Sequence, residues 1–241
     1  MKSTVDQIRE RFDRDVERFS NLETGQTATM DAPLMLELIA GVAIAMNPFA
    51  SDLLDIGCGA GNYCLKLLQH IPALNVMLVD LSQPMLERAV QRVQPATTGL
   101  VQAMQADIRD LDLGESKFDI IVAAAVFHHL REDDDWRSVF RKCHAALRPG
   151  GSIWISDLVT HSNQKVQAVM WERYGTYLEQ LSGPEYREKV FAYIEQEDTP
   201  RSVGYQVELL REVGFRDVEI LHKNGCFAAF GGVKGTRSGT G

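Results

Sequence analysis

From Asp52 onward the chain alternates short apolar runs with longer amphipathic stretches. Leu53–Ile56, Val76–Asp80, Val101–Ala106, Phe118–Ala123 and Ser152–Asp157 have the length of buried strands, and helical segments separate them. Pro84–Val93 carries Ser82 as an N-cap and Pro84 in its first turn, while Trp136–Leu147 follows Asp133, Asp134 and Asp135, an acidic start that suits a helix dipole. This βαβ repetition predicts an α/β fold with a doubly wound, mostly parallel sheet, whose ligand site lies at the carboxyl ends of its strands. Val218–His222 and Cys226–Phe230, joined at Lys223, Asn224 and Gly225, predict a final antiparallel hairpin and bring the sheet to seven strands.

Two segments fall outside this alternation. Residues 1–50 read as a helical N-terminal cap; within it Ala32–Ala50 is apolar but interrupted by Glu37 and bracketed by Pro33 and Pro48, which suits a buried helix better than a membrane span. Residues 51–233 read as one Rossmann-like domain, in which residues 160–200 are too long for an ordinary connection; the cap and this insertion together are expected to form the lid and acceptor pocket. Residues 234–241, rich in Gly, Ser and Thr, read as a disordered tail.

The formal charge of -8 and a pI near 5.3 supply no global field for phosphates, and no basic stripe compensates, so nucleic acid is disfavoured as a partner. Cys58, Cys64, Cys143 and Cys226 are scattered without a CxxC pair and no secretory leader is visible, so a cytoplasmic location is expected rather than a disulfide framework or a zinc site.

The strongest chemical signal is Leu53-Leu54-Asp55-Ile56-Gly57-Cys58-Gly59-Ala60-Gly61-Asn62, a strand running into a glycine turn that opens the helix Tyr63–Gln69. Glycine permits positive φ and removes the Cβ that would hold a ligand off the main chain. A dinucleotide fingerprint would place its third glycine at position 62, where this chain has Asn62, and that weakens an NAD reading.

In these residues the chain resembles the class I S-adenosylmethionine-dependent methyltransferases, whose first motif has the acidic-x-Gly-x-Gly-x-Gly form of Asp55, Gly57, Gly59 and Gly61. The resemblance extends over about residues 50–158. Phe118–Leu130 looks like the family's fourth-strand motif, and Leu147-Arg148-Pro149-Gly150-Gly151 looks like the turn before its fifth strand. It implies that S-adenosylmethionine is the cofactor and S-adenosylhomocysteine the product, with the loop through Cys58 and Asn62 holding the methionyl part and Asp55 near its ammonium group. Asp80, closing the second strand, could accept both hydroxyls of a ribose, as NAD enzymes also arrange, or could cap the next helix. Leu81 and Met85 would flank the adenine or simply pack. The resemblance places Asp107 against the adenine amino group and the Ile108 amide near the ring. Small residues at Ala123 and Ala124 would let the backbone approach the cofactor. No Asn-Pro-Pro-Tyr or Asp-Pro-Pro-Tyr sequence is present, which disfavours exocyclic or amide nitrogen acceptors and leaves an oxygen, sulfur or carbon atom of a small molecule.

His128 and His129 are candidate general bases, with adjacent side chains expected to diverge so that one faces the pocket. Asp157 and His161 could face the acceptor, and no metal is expected. On the lid, Trp171, Tyr174 and Tyr177 recur every three residues, which suits packing or an acceptor wall. Thr29, with Gln26 and Met30, is placed to gate the site. Three readings remain open: a small-molecule methyltransferase, a tRNA-modifying methyltransferase, and a non-catalytic cofactor-binding regulatory protein. A homodimer is compatible with each.

Overall fold

The computed structural model describes residues 2–21 and 26–236. Strands β1 (Asp52–Ile56), β2 (Asn75–Asp80), β3 (Val101–Gln105), β4 (Phe118–Ala124), β5 (Leu147–Leu158), β6 (Phe215–Asn224) and β7 (Phe227–Lys234) form one sheet in the order β3-β2-β1-β4-β5-β7-β6. The first five run parallel; β7 is antiparallel to both β5 and β6, so the hairpin enters the sheet by its second arm.

The two faces follow from the period of two along each strand. Leu53, Leu78, Ile120 and Val122 point into a core shared with α3 (Ala32–Met46), α4 (Asn62–Leu68) and α5 (Gln83–Val93). Leu54, Ile56, Ile121, Ile153 and Ile155 point the other way, against α6 (Asp133–Ala146) and α9 (Val203–Glu212). Ser82 caps α5 by accepting from the Met85 amide, and the acidic first turn of α6 is in place. α3 has 15 residues, and among the described residues no helix is long and apolar enough to cross a membrane.

Some boundaries shift. β5 begins at Leu147 because Leu147 pairs with Phe118; the register then slips, so that the expected turn through Gly150 (φ +84°) becomes an irregularity within the strand. Asn224 still pairs with Phe227 as the last residue of β6, and the hairpin turns at Gly225 (φ +55°) and Cys226. Of the final segment, Lys234 ends β7, its ammonium donating to carbonyls of residues 144 and 147; residues 237–241 lie outside the described residues.

Outside the sheet, α1 (Val5–Arg14) and α2 (Val16–Ser20) precede α3, while α7 (Gln164–Ser182) and α8 (Pro184–Glu197) fill the long connection after β5. Thr4 caps α1 reciprocally with Gln7, and Asn163 caps α7. α1 and α8 are tied by Arg11, whose guanidinium lies 2.6 Å from the Glu197 carboxylate and over the Tyr193 ring.

Candidate active site

Asp55, Asp80, Ala124 and Asp157 stand at or next to the carboxyl ends of β1, β2, β4 and β5, where a parallel sheet opens a crevice. A cavity of about 870 Å³ lies there, floored by the glycine loop and roofed by α1, α2, α7 and α8. The Gly57 and Cys58 amides both donate to the Val79 carbonyl, at 2.7 and 3.0 Å, folding the loop over β2. Gly57 has φ +64°, and a Cβ there would stand 2.2 Å from the Val126 side chain, so no larger residue fits. Gly59 has φ +50° and open space where its Cβ would be, which leaves its main chain bare to a ligand.

Both acidic residues of the floor are buried. The Gly59 and Ser82 amides donate to Asp80, at 2.8 and 2.9 Å. Burial raises the Asp80 carboxyl even so. Burial also pushes Asp55 up to about 7, with the nearby Asp80 charge adding to the rise, although Cys64 Sγ donates to it at 3.1 Å. Two crowded carboxylates facing a cavity favour a ligand that brings positive charge and hydroxyl donors. They repel a pyrophosphate.

Cys58, Asn62, Leu81 and Met85 line the same cavity. Asn62 also bridges outward, donating to the Phe19 carbonyl at 3.2 Å and accepting from Arg92 at 2.8 Å, which ties the floor to α2. Gly61 shapes the loop at φ +80° without lining the cavity, and Ala123 lies buried below Ala124. Asp107 and Ile108 are not brought to the cavity wall. Asp107 instead receives the Arg109 guanidinium at 2.6 Å, which outweighs burial and holds its carboxyl below the usual range.

At the other end of the cavity the short 3-10 turn Phe127–His129 presents both histidines to the wall, with ring centroids 4.2 Å apart. This corrects the expected divergence: successive side chains of such a turn differ by about 120° rather than the half-turn of a strand, so both reach one side. His128 Nδ1 is hydrogen-bonded to Asp157, which also accepts from the amides of His128 and Leu158 at 3.0 and 2.9 Å. Asp198, buried just beyond α8, lies 3.1 Å from His129 Nδ1 and 3.7 Å from His128 Nε2. Burial alone would depress His128, but the Asp157 and Asp198 carboxylates push it up to about 9. Burial and the charged neighbour hold His129 below its ordinary value.

The aromatic stripe divides. Tyr174 lines the cavity, and its hydroxyl donates to the Ala28 carbonyl at 2.9 Å. Tyr177 donates to the Thr27 carbonyl at 2.6 Å from outside the cavity, and Trp171 stacks on Phe191 between α7 and α8. Thr29 lines the cavity beside these latches. His161 turns away to Gln167 and Lys223. Sequence reasoning missed Asp198, Arg11 and Phe12. Asp198 lies seventy positions from His128, and the remaining pair sits on a helix with no motif, so only tertiary contact reveals them.

Comparison with known proteins places this arrangement. Residues 53–151 match the family model described as a methyltransferase domain. A Mycobacterium tuberculosis protein described as an uncharacterized methyltransferase is 33% identical over 119 residues, covering 49% of this chain and 56% of its own length. The chain thus spans about half the length of that relative. The 2-phytyl-1,4-naphtoquinone methyltransferase of Nostoc punctiforme is 28% identical over 165 residues, covering 67% and 70%. Among solved structures, the 1,6-didemethyltoxoflavin-N1-methyltransferase of Burkholderia thailandensis superposes with a TM-score of 0.57 at 20% identity, over 83% of this chain and 78% of that one.

Proposed function

Because residues 53–151 belong to the class I S-adenosylmethionine-dependent methyltransferases, we propose that this protein transfers a methyl group to an oxygen, sulfur or carbon atom of a small molecule. The observation that carries the reading is the roofed cavity of about 870 Å³, large enough for the cofactor and a small acceptor together. The quinone-methylating relative supports an acceptor of that size.

The floor fits the cofactor. Asp55 would hold its ammonium group and Asp80 its ribose hydroxyls, with the bare main chain at Gly59 against the methionyl part and Leu81 and Met85 beside the adenine. When bound, the cofactor supplies a methyl group already activated on a positively charged sulfur. The residues of this chain then have to align the acceptor and exclude water. Phe12, Phe19, Tyr186 and Tyr193 from the cap and insertion wall off the cavity, so those segments serve as the lid. His128, charged between two carboxylates, orients; the neutral His129 is the group able to receive a proton from a hydroxyl or thiol.

Cations do occur at the rim, as a nucleic-acid reading would require. Three of them are paired, however: Arg11 with Glu197, Arg14 with Glu10 and Arg18 with Asp15. A calorimetric titration with S-adenosylhomocysteine, followed by an acceptor screen, tests the proposal. Micromolar binding and methylation of a small acceptor support it. Salt-sensitive tRNA methylation, or binding with no transfer to any acceptor, would replace it with one of the two rival readings.

A further inference from the structure

We propose that His128, His129 and Asp198 form a binding site for a divalent transition-metal ion, beside the cavity that the two histidines line, that pins the lid to the sheet. One ligand atom from each of the three lies within 4.8 Å of the others. The Asp198 oxygen stands 3.1 Å from His129 Nδ1 and 3.7 Å from His128 Nε2. Those separations bracket the roughly 3.3 Å between ligand atoms that tetrahedral bonds of about 2.0–2.1 Å require.

Unsatisfied polar atoms supply a second observation. Both Asp198 carboxylate oxygens and His129 Nδ1 are buried and make no hydrogen bond among the described residues. Their 3.1 Å approach is an ion pair only when His129 carries a proton. Groups of this kind cost free energy when left without a partner, and a cation would satisfy all three at once.

His128 is also prepared as a ligand. Asp157, fixed by two backbone amides, engages Nδ1 and so directs Nε2 at Asp198, where a bound ion would displace the Nε2 proton of the charged, ion-free His128. A carboxylate behind a histidine is the usual support of a metal-bound imidazole. Two imidazoles and one carboxylate suit zinc or cobalt better than magnesium or calcium, which prefer oxygen donors.

The mechanical effect follows from connectivity. Asp198 is the C-cap of α8, whereas the histidines belong to the turn after β4. An ion between them would join the lid helix to the sheet at the cavity edge. This inference is independent of whether methyl transfer occurs; an ion on His129 Nδ1 would leave Nε2 protonated, so the proton-accepting role given to His129 above belongs to the ion-free protein.

The test uses the full chain, freed of metal with a chelator and titrated with Zn²⁺ by calorimetry and with Co²⁺ by visible absorption. One equivalent should bind, Co²⁺ should develop d–d bands of nitrogen and oxygen ligation, and hydrogen exchange across residues 184–197 should slow. Mg²⁺ in excess should not compete. Asp198→Asn and His129→Ala should abolish binding, and Asp157→Asn should weaken it by roughly 10–100-fold, as loss of a supporting carboxylate does. His129 is the least buried of the cluster, so its variant carries the test if Asp198→Asn fails to fold. Folded protein that takes up no stoichiometric Zn²⁺ or Co²⁺ overturns the proposal, as does uptake unchanged in both variants. Binding of S-adenosylhomocysteine is measured on the same samples, so failure of the ion site and failure of the cofactor reading are separate results.

Discussion

The Gly59 amide donates to Asp80 Oδ2 at 2.8 Å, so the bare turn of the glycine loop is fastened to the last residue of β2. One carboxylate thereby sets the loop and still faces the cavity. Asp80→Ala should remove both functions. Hydrogen bonds to a charged group contribute about 1.5–3 kcal/mol each, so a loss of at least 100-fold in S-adenosylhomocysteine affinity is expected. Gly59→Val should have a comparable effect through its backbone conformation and the side chain projected into open space. Calorimetry checks both; affinity within threefold of wild type in either folded variant contradicts the site.

Asp55 imposes a pH dependence whose sign is definite. Its carboxyl is raised in the folded chain, to about 7 from 3.8, so between those values the unfolded chain ionises first. The contribution of Asp55 to the stability of the free protein should fall as pH rises from about 4 to about 7 and not return above. Asp55→Asn should flatten that slope in denaturant titrations at several pH values.

The same carboxyl couples to ligand binding. A cationic ammonium group beside Asp55 favours its ionised form, so binding of S-adenosylhomocysteine below pH 7 should release protons. Titrations near pH 6.5 in buffers of different ionisation enthalpy should give different apparent heats in wild type and converge in Asp55→Asn. Identical wild-type heats would place the ammonium elsewhere.

The tyrosine latches should act locally. Tyr174→Phe and Tyr177→Phe each remove one hydrogen bond to the segment at residues 27–28, worth about 1 kcal/mol. Hydrogen exchange at residues 26–30 should accelerate several-fold while the sheet stays protected.

Removing Arg11 should be costlier than removing an ordinary surface arginine. Its partner Glu197 is nearly buried, and breaking such a pair costs about 3–5 kcal/mol. Arg11→Met should lower the melting temperature and speed proteolysis within α1, whereas Arg14→Met, at an exposed and loose pair, should change neither.

The succession of strands along the chain, the helix cap at Ser82 and the acidic residues of the floor are legible in sequence, because strand periodicity and short turns are local properties; the order of strands in the sheet is not. The hairpin was legible too, although its turn lies at Gly225 and Cys226 rather than across residues 223–225. The cluster beyond the histidines was not. Asp198 meets His129 only because α7 and α8 fold back over the sheet, and no spacing encodes that return. The pairing of His128 with His129 is hidden in sequence for a different reason: the strand period that makes neighbours diverge stops at the end of β4, and a 3-10 turn follows.

Of the seven strands among the described residues, the last in sequence is not at the edge: β7 fills the place between β5 and β6. While the chain is being synthesised, β5 therefore offers an unpaired border, and β6 has nothing to join, until residues 227–234 emerge. The sheet closes in a single late step, and a chain cut short before Phe227 would expose an open strand edge to its neighbours, the geometry from which aggregation starts.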